Sequence, residues 1–233
     1  GMIAQDRGNW DEAEEYFKAS LEMKREIGDK RGVAATMHHL GIIAQDRGNL
    51  DEAEEYFKEA QEIAKEIGDK QGVAFTIHHL GIIAKLRGNW DEAEEYFKAS
   101  LEMKREIGDK RGVVTTIHHL GMIAQDRGNW DEAEEYFKEA QEIVKEIGDK
   151  RGVAFTMDAL GRLSEDRDLF EDALRLFLNA AYIFNQTGSS YEQNALDDLL
   201  RMIEKVTVER FKEMILEEVE DIRDYVRGCF PNL

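Results

Sequence analysis

Six histidines stand in three identical phrases, HHLG, at His38–His39, His78–His79 and His118–His119. Neutral imidazole offers one donor and one acceptor, and gains a positive charge near pH 6.5 when its surroundings do not perturb it. Like histidines on neighbouring packed helices lie roughly 10 Å apart. No Cys or carboxylate inside HHLG completes a tetrahedral zinc set, so neither a metal nor a cofactor is expected. Carboxylate pairs are plentiful, as in Asp51, Glu52, Glu54 and Glu55, but they recur in every copy of one phrase. Catalysis needs one unique site. No G-x-x-x-x-G-K-[ST], G-x-G-x-x-G, G-x-S-x-G or H-E-x-x-H occurs. Cys229, the one cysteine, has no His near it in sequence. The chemistry on offer is recognition, not turnover, and no enzyme is expected.

The elements that carry these groups repeat. The phrase GMIAQDRGNWDEAEEYFK opens the chain and restarts at Gly41, Gly81 and Gly121, a period of 40 without insertion. Copies 1–40 and 81–120 differ at six positions, and copies 41–80 and 121–160 at seven. The larger unit is therefore a pair of repeats, duplicated recently or written from a consensus. A fifth, degenerate copy covers 161–188, where Asp168 replaces the glycine found at Gly8, Gly48, Gly88 and Gly128. Two unrelated helical patterns follow, over about 190–205 and 208–227, as divergent capping helices within 189–233.

Each copy reads as two helices. Gly68 suits a left-handed helix end and Asp69 an N-cap, so the first helix spans about 69–87. Gly88 closes it. Asn89 opens the second, with Glu92 at capping-box spacing. Ala93, Tyr96, Phe97, Ser100, Met103 and Ile107 then form a 3.6-residue stripe. On the first helix Val73, Ile77, Leu80, Gly81 and Ala84 share the packing face.

The order Leu40, Gly41, Ala44, Gly48, Ala53, Phe57, Ala60, repeated as Leu80, Gly81, Ala84, Gly88, Ala93, Phe97, Ser100, resembles the tetratricopeptide repeat (TPR). The ordinary TPR has 34 residues. The longer period here resembles the variety found in kinesin light chains and in G-protein and cell-polarity scaffolds. The helix-ending proline of the family is replaced by Gly-Asp. The resemblance covers residues 1–188 and implies an all-α, right-handed solenoid of antiparallel helix pairs.

It also implies a concave groove that holds peptides. The face opposite the packing stripe carries Ala35, Phe75, Thr115 and Phe155 in one row and Met2, Ile42, Ile82, Met122 and Arg162 in another. The histidine pairs lie between them, where the longer TPR variety commonly has asparagines that grip a peptide backbone. In the fourth copy Asp158 and Ala159 replace the pair, and Asp198 falls at the His78 position, so the C-terminal end of the groove is expected to be acidic. An imidazole-lined groove would change its binding between about pH 7.5 and 5.5. The expected role is a protein-interaction scaffold for a protein or peptide partner. Two alternatives stand beside it: the regulatory or sensor region of a larger multidomain signalling ATPase, and a ligand-free structural array.

Acidic residues number 50 against 31 basic, a formal charge of −19. That balance disfavours nucleic acid and anionic membranes as partners. No stretch of about 18 apolar residues could span a bilayer, and one cysteine fits a reducing, cytoplasmic setting. The opening Gly1 aligns with the middle of a first helix, which leaves Tyr16, Phe17, Leu21 and Met23 short of a partner. Self-association as a homodimer through that end is the expectation.

Overall fold

The computed structural model describes residues 10–218 and 220–230 and divides into two compact units, 1–116 and 117–233. Met2 and Gly8, and with them the start of the first repeat, lie outside the described residues. Among the described residues every element is helical: α1 (Trp10–Glu26), α2 (Lys30–Asp46), α3 (Leu50–Glu66), α4 (Lys70–Leu86), α5 (Trp90–Glu106), α6 (Lys110–Asp126), α7 (Trp130–Glu146), α8 (Lys150–Asp166), α9 (Phe170–Gln186), α10 (Glu192–Val206), α11 (Val208–Leu216) and α12 (Glu220–Cys229). In the first unit α1 packs on α2, α2 on α3, α3 on α4 and α4 on α5. In the second, α7 packs on α8, α8 on α9, and α9 on α10. The architecture is an all-α TPR solenoid of consecutive helix pairs.

The punctuation is local chemistry. Asp29, Asp69 and Asp149 cap α2, α4 and α8, each accepting the amide N–H three residues on, at Gly32, Gly72 and Gly152. The asparagines behave otherwise. Asn49, Asn89 and Asn129 precede α3, α5 and α7 but make no side-chain cap. The Asn89 amide donates instead to Glu92 at 3.3 Å. The backbone turn does not cause the difference, since the Asn89 and Asp69 N–H groups make the same bond, to the Ala84 and Ala64 carbonyls.

The glycine of LG is a packing device. A Cβ added at Gly81 would sit 2.9 Å from Phe97 Cε1, and one at Gly41 2.7 Å from Phe57 Cε1. The phenyl ring of the following helix therefore needs a bare backbone beneath it. Val73, Leu80, Gly81 and Ala84 are buried as the helical period requires, while Ile77 is only half-buried. On α5 the buried stripe runs through Ala93, Phe97, Ser100, Leu101 and Lys104, with Met103 and Ile107 at its edge.

The pattern over 208–227 is two helices, not one. α11 ends at Leu216, and Arg175 on α9 pairs with Glu217 at 2.5 Å and Glu218 at 3.1 Å. That double pairing holds the turn against α9. Phe211, Met214, Ile222 and Val226 join Leu174, Phe177 and Leu178 in one apolar cluster.

Candidate functional site

The first unit brings His38, His39, His78 and His79 together with Phe75. His39 stacks on Phe17, ring centroids 4.9 Å apart, and His79 stacks on Phe57 at 4.7 Å. His38 meets Phe57 edge-on at 5.6 Å and His79 at 4.9 Å. The second member of each pair thus lies on the phenyl ring of the preceding helix, and the first fills the angle between successive pairs. His79 Nδ1 shares a hydrogen bond with Gln45 Oε1 at 3.1 Å. His78 is 6% exposed, and its Nδ1 lies 3.2 Å from Thr116 Oγ1.

Burial changes the titration these rings were expected to show. Desolvation, reinforced by the neighbouring His39, pushes His38 down to about 4. His39 is lowered too, first by burial and then by the Lys24 charge. His38 is therefore neutral throughout pH 5.5–7.5, and the expected binding change in that window finds no support from it. His78 is not an open groove residue either, since it is enclosed by α4, Phe97 and Thr116. Ala35 and Thr115 are exposed, Phe75 is half-buried, and Ile42 and Ile82 are half-buried.

Beside His38 and His39 opens a cleft of about 200 Å³, lined by Ala35, Ala60, Ala64, Phe75 and Thr76, with Arg31, Asp69 and Gln71 on its rim. His39 Nδ1 is buried and has no hydrogen-bond partner among the described residues.

In the second unit His118 faces Phe137, centroids 5.5 Å apart, and lies 6.4 Å from His119. Met122 packs beside Ala124, Phe137 and Ala159. Phe155 is engaged internally, edge-on to Phe184 at 5.0 Å and Tyr191 at 4.8 Å. The acidic end is corrected by the structure. Arg162 donates to Asp158 at 3.1 Å and to Asp198 at 2.5 Å, and Arg201 binds Asp198 at 2.7 Å. Burial raises the Asp158 pKa against the pull of Arg162. Two carboxylates that looked like free groove acids are neutralised by arginines one turn and one repeat away.

Sequence reasoning missed Lys104. It sits at a position that is Ala64 and Val144 in the even copies, and it is 2% exposed. Its Nζ donates to Thr116 Oγ1 at 2.9 Å and lies 5.5 Å from the centre of the Phe75 ring. Burial lowers its pKa to about 8, partly opposed by the Asp109 charge. Lys24 makes the matching bond to Thr36 at 2.8 Å. The available signal was the alternation of Lys with Ala and Val at one repeat position.

The DEAEEYF acids are partly engaged as well. Arg47 pairs with Asp11 and Glu14, Arg87 with Asp51 and Glu54, and Arg167 with Asp131 and Glu134, each clamp spanning two helix pairs.

A family model described as Tetratricopeptide repeat matches residues 1–66, 32–106 and 112–191. The chain belongs to the tetratricopeptide repeat family. Among solved structures it is similar to a Signal Transduction ATPase with Numerous Domains (STAND) protein with a tetratricopeptide repeat sensor, from Pyrococcus horikoshii. That match has 22% identity and a TM-score of 0.79, and covers 93% of this chain and 33% of the other. A Podosopora anserina protein described as a kinesin light chain with nearly identical TPR-like repeats matches at 18% identity and TM-score 0.62, over 80% of this chain and 92% of that one. A Rap protein complexed with Competence and Sporulation Factor matches at 20% identity and TM-score 0.60, over 82% and 58%. At such identities the likeness is one of fold. No curated protein matches. No helix among the described residues is long and apolar enough to cross a membrane.

Proposed function

We propose that this TPR array is a non-catalytic scaffold that holds a peptide segment of a partner protein against the face carrying Ala35, His38, His39, Phe75 and Thr115. The observation that supports it best is the cleft of about 200 Å³ at that face, with neutral imidazoles and a phenyl ring in its walls. Neutral imidazole pairs with backbone amides without paying for a buried charge. The Rap protein, similar in fold, was solved with Competence and Sporulation Factor bound, and a partner is carried over from it only as a class. The ends of the array, with α10–α12 covering one and self-association at the other, belong to the same proposal.

The test is display selection of random peptides on the immobilised chain, followed by Ala35→Glu and Thr115→Glu. Both positions are exposed, so the fold should be kept, while two carboxylates on the binding face should weaken selected peptides at least about tenfold. Peptides that bind these variants as well as the parent would place binding elsewhere.

The likeness to the sensor-bearing STAND protein over 93% of this chain favours a second reading, in which the same face senses a ligand for a signalling ATPase. A phosphate-binding loop on the same polypeptide would separate the two.

A further inference from the structure

Two spaces of the same kind lie in the first unit. One is the cleft bounded by α2, α3 and α4. The other is its equivalent one repeat on, bounded by α4, α5 and the start of α6. In the second space Phe75 stands where the first has Ala35, and Lys104 stands where the first has Ala64. Those two side chains occupy it. The lysine stem is buried, its ammonium donates to Thr116 Oγ1 at 2.9 Å, and the Phe75 ring lies 5.5 Å away. Thr116 donates onward to the Gly112 carbonyl at 2.8 Å.

The first space repeats the receiving groups and lacks the lysine. Thr76, the counterpart of Thr116, donates to the Gly72 and Val73 carbonyls at 3.0 and 2.9 Å. Among the described residues no donor reaches its oxygen. His38 and His39 line the same cleft. The Phe75 side chain lines this cleft too, and Asp69 stands on the rim where Asp109 supports the Lys104 charge. Arg31 and Gln71 share the first rim. Gln71 and Arg111 hold the equivalent positions of the second, which accepts an ammonium nevertheless.

We propose that the cleft between α2 and α4 is a receptor for a lysine side chain of the bound partner. Its stem would lie over Ala60 and Ala64 beside the Phe75 ring, and its amine would donate to Thr76 Oγ1. Lys104 is the chain's own version of that bound amine. A formal charge of −19 draws a basic partner towards the protein before contact. The assignment deepens the peptide-scaffold reading and rests on it for the identity of the partner, but the cleft itself can be probed without a peptide.

The probe is n-butylammonium, a lysine side chain without its backbone, titrated at pH 7.5 into the full chain while the methyl signals of Ala35, Ala60, Ala64 and Thr76 are followed by NMR. Sodium butyrate of similar length and isobutanol, a leucine mimic, are run alongside. The expected result is a saturable shift of these four methyls with n-butylammonium, at least about tenfold weaker with either control. Ala64→Lys supplies the occupant internally, as Lys104 does one repeat on, and should abolish the response. If that variant fails to fold, Ala35→Phe, the residue of the next copy, closes the cleft instead. No saturable shift, equal binding of butyrate or isobutanol, or a response that survives the filled cleft overturns the proposal. If n-butylammonium binds while no peptide is selected at this face, the scaffold reading fails and the amine site stands. If peptides bind and the amine does not, only the lysine assignment falls.

Discussion

Lys104 places an ammonium where the even repeats place methyl groups, and the consequence is measurable as a pH dependence of stability. Its pKa falls from the usual 10.5 to about 8 because the folded chain desolvates the charge. A fall of that size corresponds to at most about 3.4 kcal/mol at 1.36 kcal/mol per tenfold. Relaxation and water penetration reduce it to roughly 2 kcal/mol. The sign follows from proton counting. Between pH 8 and 10.5 the unfolded chain holds the lysine proton and the folded chain does not, so stability rises with pH across that window. Below pH 8 both states are protonated and the full penalty is present. Lys104→Met keeps the unbranched stem and removes the charge. It also loses the hydrogen bond to Thr116, worth about 1 kcal/mol. The expected outcome is a variant more stable than the parent by about 1 kcal/mol at pH 7, an advantage that shrinks and then reverses by pH 10.5. Urea midpoints at pH 7, 8, 9, 10 and 10.5, compared at matched m-values, give the difference directly and cancel groups common to both proteins. Parallel curves for parent and variant would mean that the lysine is as well solvated folded as unfolded, and the buried-ammonium argument would be wrong.

Three further outcomes follow from the same geometry. The Cε1 proton of His38 should show no titration between pH 7.5 and 5.5, with its midpoint near 4. The unfolded chain takes that proton first, so stability falls as pH drops from about 6.5 to 4, and a midpoint above 6 by NMR contradicts the burial argument. Gly81→Ala forces a methyl to 2.9 Å from the Phe97 ring and should cost about 1–3 kcal/mol in chemical unfolding; a neutral result would show that the ring retreats freely. Asp168 holds φ at +58° where Gly48, Gly88 and Gly128 hold +75° to +79°. Asp168→Gly should therefore be neutral to stabilising by up to about 1 kcal/mol, in contrast to an ordinary Gly substitution.

The helix pairs were legible because their signals are local. A glycine at positive φ, an aspartate three residues before an amide, and a 3.6-residue stripe each act within one turn, and a period of 40 repeats them until chance is excluded. Where two local signals competed, the sequence was ambiguous. Asn89 looks like an N-cap, yet its side chain makes no cap and turns to Glu92. The break at Leu216 was hidden for a different reason: the apolar spacing continues through 208–227, and the turn is held by Arg175, some forty residues earlier.

The face of the candidate site was legible only as a set of rows, because a helical wheel gives direction and not depth. It placed His38 and His78 opposite the packing stripe, but neighbouring helices close over that side too, so one imidazole is driven down to about 4 and the other is 6% exposed. It placed Asp158 and Asp198 on the same face and missed that Arg162, drawn from the apolar row, turns back to neutralise both. Lysine is read as a solvent residue by default. Position 104 escapes that default because Gly112 leaves room for the lysine stem and Thr116 meets its amine. The same reasoning explains the cleft one repeat earlier: with alanine at 35 and 64, no donor among the described residues reaches Thr76, and a space of about 200 Å³ is left beside it.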